Sequence, residues 1–231
     1  MSTDAISERV LSERFEILIR NESSQLGFPK FNSIHKEVVC LQGVADFVAT
    51  LGPKLRSFAS EKVLGAVDSG LDSSARILSL LKHSSPRSED FITKKTGFSQ
   101  KTVRALIGKM LDKNVIRKTA KGNFLLTSEW NPPPIEMWAF ELKISNWKRA
   151  IYQAMQYKAF ASRVYTVFPK EKEKLLISKL ELFRNMKIGV IVFDLQNGNV
   201  SKILLKATKE APSSHLHYLY TVLQMASLEV H

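Results

Sequence analysis

Two patterns of apolar residues divide this chain into a central segment and two flanks. In the flanks, apolar runs typical of strands alternate with stretches whose apolar residues recur at helical spacing. The predicted strands cover residues 34–41, 44–50, 137–142, 164–168, 187–194 and 201–206, and the predicted helices cover 5–22, 55–67, 146–160, 171–184 and 213–227. Without residues 72–130, the order begins α-β-β-β-α-β, apart from the helix that leads into the central segment. This order predicts an α/β fold with a central mixed sheet.

The central segment, residues 72–130, predicts three short helices followed by a hairpin. Its signals are, in chain order, a helix capped by Ser73 or Ser74, a helix over 89–96 capped by Ser88, a turn at 97–99, a third helix, and strands at 115–119 and 124–127. The third helix has one apolar face, formed by Val103, Leu106, Ile107, Met110 and Leu111. The segment therefore has its own small core.

Charge marks the same segment. The chain has 34 Lys and Arg against 22 Asp and Glu, which gives a formal net charge of +12 at pH 7. Residues 72–128 hold 12 of the basic and 4 of the acidic side chains, so they carry +8 of that excess. A strongly basic module favours a polyanionic partner, and nucleic acid is the usual one.

The central segment resembles a winged helix-turn-helix domain over the stretch SEDFITKKTGFSQKTVRALIGKMLDKNVIRKTAKGNFLLT. The resemblance implies that the third helix enters the major groove of DNA, while the hairpin contacts the phosphate backbone. The implied DNA-binding residues are Gln100, Lys101 and Arg104 on the helix, with Lys118 and Lys121 on the wing. The alternative is a three-helix module that binds another protein, against which the +8 charge argues.

The flanks resemble the PD-(D/E)xK superfamily of restriction endonucleases and Holliday-junction resolvases. The resemblance lies in GVADFVAT and in FELKISNWKRAIYQAMQYKAFASRVYTVFP, with Ala45 in place of the proline of the motif. It implies a restriction endonuclease-like core with an active site formed by Asp46, Glu141 and Lys143. The core would comprise residues 1–71 and 131–231, interrupted by the winged helix at 72–130.

The residue types at these positions suit metal-dependent phosphodiester hydrolysis. Side chains alternate across a strand, so Glu141 and Lys143 lie on one face. If the Asp46 strand is adjacent, Asp46 and Glu141 offer hard oxygen ligands to Mg²⁺, or to Mn²⁺ in its place. Lys143 would then orient or deprotonate the attacking water. The alternative is a solvated Asp46 beside a surface ion pair between Glu141 and Lys143, worth less than about 1 kcal/mol.

Other candidate roles follow from the resemblance and from position. A glutamine on the helix after the third strand supports the site in many members of the superfamily, and Gln153 takes that place. Glu13 or Glu16 on the first helix would add a metal contact, as some members have. Trp138 and Trp147 are expected in the core rather than as platforms on which bases stack.

The sequence therefore predicts a metal-dependent DNA endonuclease that an embedded winged helix delivers to its substrate. The alternative is a DNA-binding regulatory or assembly protein that keeps a catalytically silent nuclease fold as a scaffold, and charge alone leaves an RNA-directed nuclease open. A homodimer is one option, because cutting both strands of a duplex usually takes two active sites.

Several classes of protein are not expected. A single cysteine, Cys40, excludes a disulfide framework and a zinc site built from cysteines. The start, MSTDAISERVLSERF, lacks the apolar segment of a signal peptide. No apolar run reaches the roughly 18 residues that a membrane span needs. We expect a cytoplasmic protein without a membrane partner.

Overall fold

The computed structural model describes residues 7–55, 60–67, 70–132, 134–194 and 201–229. The described helices are α1 Glu8–Asn21, α2 Glu61–Val67, α3 Leu71–Leu80, α4 Glu89–Thr96, α5 Gln100–Asp112, α6 Trp147–Tyr157, α7 Glu173–Ile177, α8 Leu180–Asn185 and α9 His215–Leu228. The described strands are β1 Ser33–Cys40, β2 Gly43–Leu51, β3 Ile116–Lys118, β4 Phe124–Leu126, β5 Glu136–Leu142, β6 Arg163–Pro169, β7 Gly189–Phe193 and β8 Ser201–Leu205. Short 3-10 helices at Ser23–Leu26 and Lys170–Lys172 complete the set.

The chain forms two compact units, each built from two separate stretches of sequence. Unit 1 comprises Met1–Gly52 and Ile135–Ser214, and unit 2 comprises Pro53–Pro134 and His215–His231. Unit 1 contains the larger sheet, and unit 2 contains the three-helix segment and the hairpin.

Unit 1 is an α/β layer structure around a six-stranded mixed sheet, which confirms the predicted fold class. The strands lie in the order β1-β2-β5-β6-β7-β8. The three central strands β5, β6 and β7 are parallel to one another, and the remaining neighbours are antiparallel. The parallel pair β5 and β6 is joined through α6, as a parallel connection requires a crossover. The carboxyl ends of the three parallel strands therefore meet at one edge of the sheet.

One face of this sheet carries an aromatic core covered by α1. Ser7 caps α1 by accepting a hydrogen bond from the Val10 N–H, and one side of the helix is buried. The cluster on this face includes Leu11, Phe15, Leu18 and Ile19 of α1 together with Phe47, Trp138, Phe140 and Tyr165 of the sheet. The opposite face of β5 and β6 packs against α6, which buries Ala150, Ile151, Ala154 and Tyr157. Trp138 is therefore in the core, as predicted.

The hairpin of β1 and β2 turns one residue earlier than the sequence predicts. The predicted strands 34–41 and 44–50 leave Gln42-Gly43 as the turn, whereas in the structure the strands pair up to Cys40 and Gly43, which leaves Leu41 and Gln42 as the turn. Gly43 has φ 134°, a backbone conformation that disfavours residues with a side chain. The glycine therefore serves the start of β2 and not the turn itself.

Unit 2 contains the three-helix pattern expected for the central segment. Ser88 caps α4 by accepting from the Phe91 N–H, and Ser99 caps α5 by accepting from the Thr102 N–H. Strands β3 and β4 form the hairpin, and Arg87 pairs with Phe124 as a further antiparallel bridge. The core side of α5 buries Val103, Leu106, Ile107 and Met110, while Leu111 is only half-buried.

The boundaries of the units differ from the predicted division at residues 72 and 130. Unit 2 begins at Pro53, and it also includes α9, which was expected in the second part of the nuclease core. The physical reason is that α9 buries Leu219, Val222, Leu223 and Met225 and packs against α3. A C-terminal helix with this much apolar surface packs on whichever apolar face is available, and its position in the sequence does not reveal which one.

Three other local features differ from the predictions or lie partly outside the described residues. Helix α3 starts at Leu71 after Gly70, so Ser73 and Ser74 lie inside the helix and do not cap it. The predicted helix 171–184 is divided into α7 and α8. The predicted helix 55–67 is described from Glu61 onward, and its residues 56–59 lie outside the described part of the chain. None of the helices in the described part of the chain is long and apolar enough to cross a membrane.

Candidate active site

The pairing of β2 with β5 places Asp46 opposite Glu141. The register pairs Phe47 with Phe140, and one step further along the two antiparallel strands are Asp46 and Glu141. Phe47 and Phe140 both lie in the aromatic core on the α1 face. Because successive side chains alternate between faces, Asp46 and Glu141 lie together on the other face, which α6 covers.

Asp46 is anchored directly to the Glu141 strand. Its Oδ2 accepts a hydrogen bond of 2.7 Å from the Leu142 backbone N–H, across 96 residues of sequence. Burial raises the pKa of the Asp46 carboxyl, and the hydrogen bond from Leu142 and the Lys143 ammonium offset only part of the rise. The predicted convergence of the two strands is therefore present in the structure.

Glu141 is fully buried and is held at both carboxylate oxygens. Tyr157 Oη lies 2.5 Å from Oε2 and donates to it, and Lys143 Nζ lies 2.6 Å from Oε1. Lys143 Nζ donates a hydrogen bond to the Leu142 carbonyl, 3.1 Å away, and interacts with Glu141 Oε1 as an ion pair. Burial and the charge of Asp46 raise the pKa of the Glu141 carboxyl. The ion pair is not the exposed surface pair of the alternative interpretation, because the Lys143 side chain is only 12% exposed.

Tyr157 connects the two strands that carry the carboxylates. Its Oη lies 2.7 Å from the Val44 carbonyl of β2 as well as 2.5 Å from Glu141 Oε2 of β5. Burial and the Glu141 carboxylate raise the pKa of the Tyr157 phenol, so the hydroxyl stays protonated. A phenol has one proton, so both contacts are hydrogen bonds at the same time only when Glu141 is also protonated. The sequence placed Tyr157 on the same helix face as Gln153 but indicated no partner for it.

Gln153 lies one helical turn before Tyr157 on α6. Its Oε1 is buried and has no hydrogen-bond partner among the residues that the structure describes. A buried polar atom without a partner costs about 1–3 kcal/mol, and a donor from a bound ligand removes that cost. The predicted supporting role of Gln153 is compatible with this unpaired oxygen.

The donor set fits Mg²⁺ better than a metal that needs many protein ligands. Within the described ranges, no group of three or more His, Cys, Asp or Glu residues is placed to hold a metal ion. Mg²⁺ commonly takes one or two carboxylates and completes its shell with water and phosphate oxygens. Asp46 and Glu141 would supply those two, and a divalent cation would offset the cost of burying two carboxylates. Contact with Glu141 Oε1 requires that Lys143 move away from it.

Glu13 and Glu16 are paired with cations instead of extending the site. Glu13 accepts a hydrogen bond from Arg9, and Glu16 pairs with Arg20 and Lys36. The acidic residues whose charges raise the pKa of Asp46 are Glu8 and Glu37. Glu37 has φ 52° within β1, at the register position opposite Asp46. A positive φ is rare for a glutamate in a strand, and no pattern in the sequence predicts it.

The five predicted DNA-binding residues are all exposed and lie in unit 2. Gln100, Lys101 and Arg104 lie on α5, with Lys118 on β3 and Lys121 in the hairpin turn. Arg104 Nε is 2.7 Å from Glu89 Oε1 of α4. The Arg104 side chain is 65% exposed, and such a pair is weak enough to exchange for a phosphate.

The chain matches no protein-family model, no curated protein and no solved structure. Its function is therefore inferred from the geometry of its own residues.

Proposed function

We propose that this protein is a metal-dependent DNA endonuclease of the PD-(D/E)xK type, with a restriction endonuclease-like core in unit 1. The observation that carries the proposal is the hydrogen bond from Leu142 to Asp46, which holds Asp46 beside the Glu141–Lys143 pair. Two carboxylates and an ammonium from distant parts of the chain converge on the α6 side of the sheet. Keeping such a group together is unfavourable without a cation, as the raised pKa values of both carboxyls indicate.

In this mechanism each residue has a defined task. Mg²⁺ would supply Lewis-acid chemistry here: it would polarise the scissile phosphate and lower the pKa of a bound water. Asp46 and Glu141 would hold the ion. Lys143, once released from Glu141 Oε1, orients the attacking water and neutralises charge that develops on the phosphate. Tyr157 keeps Glu141 Oε2 in place, and Gln153 Oε1 accepts a hydrogen bond from a bound water.

The proposal assigns unit 2 to DNA binding as a winged helix-turn-helix inserted into the nuclease chain. Helix α5 would enter the major groove, with Gln100, Lys101 and Arg104 toward bases or phosphates, and Lys118 and Lys121 would contact the backbone. The isolated antiparallel bridge between Arg87 and Phe124, which adds one further pairing to the hairpin, supports this. Replacing both Lys101 and Arg104 by Ala should weaken binding and flatten its salt dependence, by about 0.9 per lost phosphate contact.

Cleavage of DNA by the purified full-length protein tests the proposal. Linear duplex, single-stranded and branched DNA, with an RNA strand beside them, are incubated with Mg²⁺, Mn²⁺ or EDTA. We expect metal-dependent cutting of DNA that Asp46→Ala and Lys143→Ala abolish without loss of DNA binding. Cutting that persists in both variants overturns the assignment, and cutting confined to the RNA strand moves the substrate to RNA.

A second function is favoured by one feature of the site. Each oxygen of Glu141 already has a partner, Lys143 at Oε1 and Tyr157 at Oε2, so neither oxygen is left open for a metal. This is what a silent nuclease fold in a DNA-binding regulatory or assembly protein would retain. Calorimetric titration with Mn²⁺ separates the two: binding that Asp46→Asn removes supports the enzyme, and absence of binding in the presence of DNA supports the scaffold.

A further inference from the structure

A group of basic side chains in unit 1 lacks the ion pairs that most basic residues of that unit make. Those with a carboxylate partner are Arg9, Arg20, Lys36, Lys143, Lys158, Arg163, Lys170, Arg184, Lys187, Lys202 and Lys209. Lys148, Arg149 and Lys179 have no such partner within the part of the chain that the structure describes, and neither do Arg14, Lys30, Lys172, Lys174 and Lys206. Their charges are therefore available to an anion from outside.

Trp147 holds two of these cations together. It was expected in the core, but it is only half-buried at the first position of α6. Lys148 Nζ lies 5.7 Å and Lys179 Nζ 5.9 Å from the centroid of the indole ring. Such cation–π contacts restrict the two flexible side chains before any ligand arrives. Exposed Arg149 is the third residue of α6, two positions after Trp147, so its side chain leaves the helix on a different side from the indole ring.

This group lies at the same edge of the sheet as the candidate active site. Strand β5 ends at Leu142, and Lys143 continues its hydrogen bonding to β6 through Val167. Trp147 lies four positions after Lys143, a stretch that spans at most about 14 Å. One strand of DNA carries a phosphate about every 3.4 Å along the duplex axis, so this reach covers about four phosphates.

We propose that Trp147, Lys148, Arg149 and Lys179, named here the Trp147 patch, bind the phosphate backbone of the DNA strand that is cut, next to the scissile bond. This proposal deepens the proposed nuclease function and rests on it, because only a nuclease has a scissile bond for the patch to adjoin. The chemistry that favours a phosphate backbone is a set of cations without carboxylate partners, two of which contact the Trp147 ring. The patch thus gives unit 1 a DNA-binding surface of its own, in addition to the contacts that α5 would make.

The salt dependence of DNA binding tests the patch without requiring cleavage. Fluorescence anisotropy of a labelled duplex is measured with the full chain in EDTA over a series of NaCl concentrations. Replacing Lys148, Arg149 and Lys179 together by Ala should reduce the magnitude of the negative slope of log K against log [salt] by about 2.7, which is about 0.9 for each of three phosphates. The matched control replaces Lys187, Lys202 and Lys209 by Ala, because each is exposed and paired with a glutamate. The control should change the slope by less than about 0.9, the contribution of one phosphate contact.

Two substitutions of Trp147 test whether the aromatic ring contributes to DNA binding by ordering the lysines, or whether the positive charges alone are sufficient. Trp147→Phe keeps an aromatic face and should bind DNA like the unsubstituted protein, whereas Trp147→Ala should bind it about two- to fivefold more weakly. Equal slopes for the patch variant and its control overturn the proposal. Because the assay contains no metal, a lowered slope in a protein that never cuts DNA refutes the nuclease function and leaves the patch as a binding surface.

Discussion

Asp46→Asn should make the protein more stable in the absence of metal and at the same time destroy its response to metal. The amide keeps the shape of the side chain and an oxygen that can accept from the Leu142 N–H. The substitution removes the Asp46 carboxylate. Burial raises the pKa of this group, and its negative charge raises the pKa of Glu141. Groups with raised pKa values bind more protons when folded, so at neutral pH their ionised forms oppose folding.

The size of the effect follows from the cross-strand position. Opposed residues of an antiparallel pair have Cβ atoms about 5 Å apart, and two unit charges at that separation repel by about 3 kcal/mol at an effective dielectric constant of about 20. The Lys143 ammonium attracts both carboxylates and cancels much of this repulsion. We expect a net gain of about 1 kcal/mol for Asp46→Asn, which corresponds to an increase of about 2–4 °C in Tm for a chain of this length.

With Mn²⁺ bound, the unsubstituted protein should be more stable than the Asp46→Asn variant. A ligand at 100 times its Kd stabilises the folded state by about 2.7 kcal/mol, so Mn²⁺ should raise the Tm of the unsubstituted protein by more than the Asn variant gains without metal. The variant should respond little, because it has lost one of two carboxylate ligands. Thermal unfolding followed by tryptophan fluorescence, in EDTA and in a Mn²⁺ series, measures both effects.

The control is Glu171→Gln, which neutralises an exposed carboxylate in the 3-10 helix Lys170–Lys172 of the same unit. It should leave the Tm in EDTA nearly unchanged and retain the full response to Mn²⁺. The reasoning is refuted if Asp46→Asn is less stable than the unsubstituted protein in EDTA, or if Mn²⁺ stabilises the two equally.

Three further outcomes are expected. Tyr157→Phe removes a hydrogen bond to the buried Glu141 carboxylate, so urea unfolding should show a loss of about 1–3 kcal/mol, and half-maximal cleavage should need more Mn²⁺. Gly189→Ala places a Cβ against the buried ring of Tyr165, and 2.9 Å from a backbone nitrogen, so it should cost about 1–3 kcal/mol in the same assay while Mn²⁺ binding is retained. The stability advantage of Asp46→Asn should shrink as the pH falls toward about 4 and grow as it rises above that, because the folded pKa of Asp46 lies above its unfolded value; a pH series of unfolding curves that shows the opposite trend contradicts this.

Much of the local structure could be predicted because it depends on neighbours in the sequence. Ser88 and Ser99 cap their helices where an oxygen is needed by an N–H three residues later, and Asn146 does the same for α6. Alternation along β5 placed Glu141 and Lys143 on one face, and their ion pair agrees with it. These features need only the geometry of one helix or one strand.

The contacts that make the site and divide the units required the tertiary structure. The bond between Asp46 and Leu142 joins residues 96 apart, and the position of Tyr157 against Val44 depends on how α6 crosses two strands. Apolar surface is not directional, so the composition of α9 required burial without naming α3 as its partner. For the same reason Trp147 had the composition of a core residue, although the end of a helix left it half-exposed between two lysines. The sequence by itself determined which side chains are available and on which face of an element each lies; the tertiary structure decided which of those faces meet, because packing is chosen by the whole set of apolar surfaces at once.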